Sequence, residues 1–147
     1  MIEKEFVPYE QAFELKELGF DELSLGRFYT KSKSKMFGLD EKGRHYPIRN
    51  TSKKLYMLGE HFVLNKDNAI TAPLYQQAFR WFREKYELHS TITSISQESW
   101  QWHITKPGES LGKLYDEDFY TYGEAELECL KILIEIVKNE KNSNIEL

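Results

Sequence analysis

The segment from Thr121 to Lys138 constrains this chain more than any other. Thr121 and Glu124 stand at capping-box spacing, the pairing that satisfies two free amides at a helix start. An apolar run follows. Leu130, Leu133, Ile134 and Val137 share one face at helical spacing, and Leu127, Ile132 and Ile136 widen that face past half the circumference. Glu124, Glu128, Lys131, Glu135 and Lys138 make the polar stripe. A helix this apolar has to be covered from more than one side. It is therefore expected to lie centrally, against a sheet and the other helices.

Two further helices are legible. Pro8 to Leu18 begins with a residue that needs no amide donor and stops at Gly19, suited to the left-handed position. Glu10, Glu14 and Glu17 form its acidic outer stripe. Ala72 to Tyr86 is expected to be capped by Thr71, with Pro73 near its first position. Its apolar face runs from Leu74 through Phe79 and Phe82 to Tyr86.

Strand signals lie between the helices. Trp100 to Thr105 alternates strictly, with Trp100, Trp102 and Ile104 on one face and Gln101, His103 and Thr105 on the other. Ser90 to Ser96 is rich in threonine, serine and isoleucine, and a short polar segment separates the two runs, which predicts an antiparallel hairpin. Leu111 to Tyr115 is a candidate third strand. Earlier, Leu25 to Thr30, Leu55 to Leu58 and His61 to Leu64 are short strand candidates, and Asp40-Glu41-Lys42-Gly43 is a turn signal. The order is α-β-β-α-β-β-α. The fold class is α+β, a small antiparallel sheet of three to five strands packed with three helices, in a single domain over residues 1–138. Residues 139–147 read as a polar C-terminal tail that frays.

Composition narrows the function classes. With 147 residues and 40% hydrophobic content the chain has material for a core without staples. A single cysteine, Cys129, allows no internal disulfide. Met1 to Glu5 lacks a basic region before an apolar run, and no apolar stretch approaches the roughly 20 residues that span a bilayer. A cytoplasmic protein with no membrane partner is expected. The four histidines show no metal-ligand spacing, and no phosphate loop or nucleophile elbow occurs, so no cofactor, metal or catalytic residue is assigned.

Three segments carry a resemblance. They are Ala72-Pro73-Leu74-Tyr75-Gln76-Gln77-Ala78-Phe79-Arg80-Trp81-Phe82-Arg83-Glu84-Lys85-Tyr86, the stretch Tyr120-Thr121-Tyr122-Gly123-Glu124-Ala125-Glu126-Leu127 with Cys129-Leu130-Lys131, and the opening Phe6 to Phe20. Together they resemble a group of small uncharacterised proteins encoded by Bacteroidetes genomes and by the phages and mobile elements of those bacteria. Residues 31–70 match poorly. The resemblance implies a bacterial host cell and a mobile-element setting. It brings no chemistry, and no functional residue is carried over from it.

Charge distribution supplies the candidate binding residues. From Arg27 to Lys54, nine basic residues (Arg27, Lys31, Lys33, Lys35, Lys42, Arg44, Arg49, Lys53 and Lys54) face two acids, a surplus of seven in a chain of net charge -4. Such asymmetry marks a surface for nucleic acid or an acidic partner, and Tyr29, Phe37, Tyr46 and Tyr56 are interleaved for stacking. The plainer reading is that Lys31, Lys33 and Lys35 guard an edge strand against unwanted pairing. On the second helix, Arg80 and Arg83 beside Trp81 and Phe82 have an interface composition. Here the plainer reading is helical pairing of Arg80 with Glu84 and Arg83 with Glu87. Trp100 and Trp102 read as core, and Cys129 as a buried, inert thiol.

The expected function is a non-catalytic binding protein of a phage or mobile element, with a protein partner. One alternative is nucleic-acid binding through the stretch from Arg27 to Lys54; another is a small enzyme whose groups meet only in space. The oligomeric state is not readable. The nucleic-acid alternative has a direct check in titration of labelled oligonucleotides. Phosphate contacts release counterions, so binding should weaken steeply with salt, and changing Lys31, Lys33 and Lys35 to glutamate should abolish the low-salt affinity.

Overall fold

The computed structural model describes residues 2–29, 37–39, 41–42, 44–47, 55–57, 69–109 and 118–145. In chain order these form a 3₁₀ turn (Ile2–Glu5), α1 (Tyr9–Glu17), β1 (Gly26–Tyr29), β2 (Phe37–Leu39), β3 (His45–Pro47), β4 (Tyr56–Met57) and β5 (Ala69–Ala72). Then follow α2 (Tyr75–Tyr86), β6 (His89–Ser96), β7 (Ser99–Thr105) and α3 (Tyr122–Ile145). The class is α+β, as the sequence predicts. All pairings between named strands are antiparallel. They make one three-stranded sheet, β4-β1-β5, and two ribbons, β2-β3 and β6-β7.

The central helix is α3. Cys129, Leu130, Leu133, Ile134 and Val137 are buried, and the helix packs against β7, β6, α2 and α1. Its capping box forms: the Glu124 amide donates to Thr121 Oγ1 and the Thr121 amide to Glu124 Oε2, each at 3.2 Å. The helix runs to Ile145 rather than ending at Lys138. Two lysines explain the extra turns. Lys138 makes an ion pair with Glu14, and Lys141 Nζ donates to the Leu18 carbonyl at 2.9 Å, an acceptor left over at the end of α1. Lys106 adds an ion pair to Glu140 at 3.3 Å.

Helix α1 ends as its sequence predicts. Gly19 takes φ +97°, the Phe20 amide reaches back to the Leu15 carbonyl at 2.9 Å and the Gly19 amide to Lys16 at 3.0 Å, a Schellman closure. The start of α2 differs from expectation. Thr71 and Ala72 belong to β5, paired with Arg27 and Gly26, and Thr71 caps no helix. Pro73 disfavours helical backbone at Ala72, and the Pro73 carbonyl accepts from the Val7 amide at 2.9 Å. The helix therefore opens at Tyr75 behind an extended Leu74.

The β6-β7 hairpin has the predicted alternation. Trp102 and Ile104 are buried against the helices. Trp100 is half-buried and meets Tyr122 edge-on at 5.3 Å. The strand candidates Leu111 to Tyr115 and His61 to Leu64 lie outside the described residues.

Gly26 sits where three segments crowd. It pairs with Met57 on one side and Ala72 on the other, and an added Cβ would meet the Phe6 ring at 2.8 Å and the Ala72 carbonyl oxygen at 2.9 Å. Backbone on one side and a buried ring on the other leave little room to yield. Gly26→Ala should lower stability by about 1–3 kcal/mol, read by urea denaturation.

Candidate functional site

The stripe that buries α3 begins with a charged residue. Counting back four from Leu130 reaches Glu126, which is only 6% exposed. Tyr122 precedes it by one turn and Cys129 follows by one turn, so the three line one side of the helix. The phase set by Leu130, Leu133 and Val137 places Glu126 on the buried side of the helix.

Neighbouring elements complete the cluster. Tyr75 and Gln76 come from the first turn of α2, and Glu5 comes from the 3₁₀ turn. The Tyr122 hydroxyl is close enough to both Glu126 and Gln76 for each to act on its ionisation. Burial raises the Glu126 carboxyl from the usual range to about 7; the Tyr122 hydroxyl opposes the shift and the Glu5 charge adds to it. Burial, with the Glu126 charge behind it, also raises the Tyr75 and Tyr122 hydroxyls. The Cys129 thiol is pushed up to about 12, chiefly by burial, with a Ser90 hydrogen bond opposing. It stays a thiol at neutral pH and supplies no thiolate. Glu126 is thus a carboxyl near half-protonation at neutral pH, able to donate or accept.

Beside this cluster opens a cleft of about 460 Å³. Phe6, Val7, Phe28, Leu55, Tyr75 and Leu127 supply its apolar walls, and Glu3, Lys4, Thr121 and Glu124 line its mouth. The Phe6–Pro8 segment is held in place by the Phe6–Leu74 bridge and by the Val7 amide on Pro73. Three exposed apolar residues adjoin the lining in the chain: Ile2, Tyr120 at 78% exposure and Tyr122 at 40%. Among the described residues no histidine lines the cleft. His103 stands on the outer face of the hairpin, opposite Thr91.

The residues singled out from sequence fall elsewhere. Lys31, Lys33, Lys35, Arg49, Lys53 and Lys54 lie outside the described residues. Arg27 is half-buried in β1 and Arg44 is exposed just before β3. Arg80 and Arg83 are exposed on α2, but Arg80 pairs with Glu22 at 3.6 Å rather than with Glu84. Gln77 draws Glu22 into that position, donating to its carboxylate at 3.2 Å and to the Leu23 carbonyl at 2.8 Å. The expected Arg83–Glu87 pair does not form either; Glu87 is the left-handed cap of α2, with φ 56°. Trp81 and Phe82 are core, with Trp81 edge-on to Phe20 at 5.4 Å. Glu126 stands at helical spacing from Leu130 on the buried face, although Glu124, Glu128 and Glu135 of the same helix belong to its polar stripe.

No family model, curated protein or solved structure matches the chain.

The raised carboxyl fixes the sign of a pH effect. A carboxyl held above its unfolded value stabilises the fold below about pH 4.5, and that contribution is lost as pH rises through about 7. Glu126→Gln should therefore flatten the stability profile between those values and be more stable than the parent at pH 8 by about 1–3 kcal/mol, read by urea denaturation across the range.

Proposed function

We propose that this chain is a non-catalytic binding protein of a phage or mobile element, acting in the cytoplasm of a bacterial host, and that its cleft receives an apolar side chain of a protein partner. The observation that carries this reading is the apolar cleft with tyrosine beside its mouth. A volume of about 460 Å³ falls in the range of roughly 300–1,000 Å³ typical of binding pockets. Tyrosines such as Tyr120 and Tyr122 give large rigid contact area at small entropic cost, which is why they concentrate at binding surfaces.

Charge indicates what should flank that side chain. Glu3 and Glu124 line the mouth of the cleft against Lys4. A partner segment that sets an aromatic or branched apolar residue between lysines or arginines suits this mouth, and an acidic segment does not. The mobile-element setting rests on the sequence resemblance alone. The basic stretch plays no part in this reading.

Selection from a displayed random-peptide library against the folded chain tests it. Enriched peptides should share an apolar residue beside lysine or arginine, and titrating them should shift the amides of Thr121, Gly123, Glu124 and Leu127. Tyr120→Ala should weaken them by about tenfold, or about 1.4 kcal/mol. Peptides that are acidic, or that bind without moving those amides, would overturn the proposal.

A further inference from the structure

Among the described residues the β6 edge of the β6-β7 hairpin is unpaired. The Trp100 amide donates to the Phe119 carbonyl at 2.8 Å, and the Phe119 amide to Trp100 at 2.9 Å. Trp100 therefore turns its backbone groups away from β6. Alternation along an antiparallel strand turns Trp102 and Ile104 the same way and aims Gln101, His103 and Thr105 at β6. Their partners Thr93, Thr91 and His89 make the hairpin hydrogen bonds. Ser90 and Ile92, between them, direct their N–H and C=O groups to the opposite edge. Among the described residues no strand pairs with that edge.

Exposed edges are normally blocked by lysine, proline or inward charge. From His89 to Ser96 there is no lysine, arginine, aspartate, glutamate or proline. Thr91, Thr93, Ser94 and Ile95 are exposed, Ile95 at 57%. The strand also reads alike in both directions about its centre: Ser90-Thr91-Ile92-Thr93-Ser94. A two-fold axis at Ile92 would set Ile92 against its own copy, Thr91 against Thr93 and Ser90 against Ser94. Both members of the Ile92 pair would exchange N–H···O bonds, because both aim outward. The threonines would meet on the exposed face as the cross-strand pairs that suit antiparallel sheets. An isologous contact needs a self-complementary patch, which this strand has.

We propose that β6 pairs antiparallel with β6 of a second copy of this chain, centred on Ile92, joining two hairpins into a four-stranded sheet. This surface lies apart from the cleft, and the dimer does not depend on the partner reading. A short strand contact of this kind binds modestly, so association should be concentration-dependent.

Sedimentation of the full chain from about 5 μM to about 500 μM at low salt tests it. The parent should move from the 17.5 kDa protomer towards twice that mass. T91K/T93K places like charges opposite each other twice and should weaken association at least about tenfold while far-UV circular dichroism stays unchanged. T91K/T93E places each new ammonium opposite a new carboxylate of the second copy and should restore association to within about threefold of the parent. A parent that stays monomeric throughout would overturn the proposal. So would a T91K/T93K variant that dimerises like the parent, or a T91K/T93E variant as weak as T91K/T93K.

Discussion

Burial of one stripe of α3 is the contact on which the other elements depend. Cys129, Leu130, Leu133, Ile134 and Val137 lie against the hairpin on one side and against α1 and α2 on the other. Each fully buried aliphatic side chain contributes on the order of 1.5–3 kcal/mol, far more than any surface ion pair here. The hairpin, a two-stranded ribbon, has little stability alone. It gains an inner face of Ile92, Trp102 and Ile104 only because α3 and α2 are there to receive it.

The same stripe carries the cost of the candidate site. Glu126 is brought inside by the phase of the helix, and its carboxyl rises to about 7 because it lacks water. The Tyr122 hydroxyl opposes that rise, and the Glu5 charge adds to it. Burial disfavours the charged form of that carboxyl, which is why its ionisation is shifted towards neutral pH. The cleft next to it inherits a mouth that is acidic and walls that are apolar.

Much of this was legible in the residues, for reasons that can be named. The Thr121–Glu124 pair marked the start of α3, since a capping box is a local arrangement that needs no tertiary partner. Trp100, Trp102 and Ile104 announced the hairpin by period alone. The start of α2 was misread because Thr71 and Pro73 fit a helix start as well as a strand end, and only the pairing with Gly26 and Arg27 decides between them. The end of α3 was placed early because Asn139 to Asn144 is polar. What holds those turns is Lys141 on the Leu18 carbonyl and Lys138 on Glu14, contacts no local pattern announces. Arg80 was assigned to Glu84 by helical spacing, yet Gln77 positions Glu22 to take it. The cleft was invisible, since its walls come from five separate stretches of chain.

The tie between α1 and α3 spans 123 residues in the case of Lys141 and Leu18. During synthesis at roughly 5–20 residues per second, α1 emerges many seconds before the helix that covers it. Through that interval Leu15 and Leu18 lack part of their cover, and loop closure across such a distance is a slow step for a small domain. The nascent chain therefore keeps part of the α1 face exposed until α3 is made.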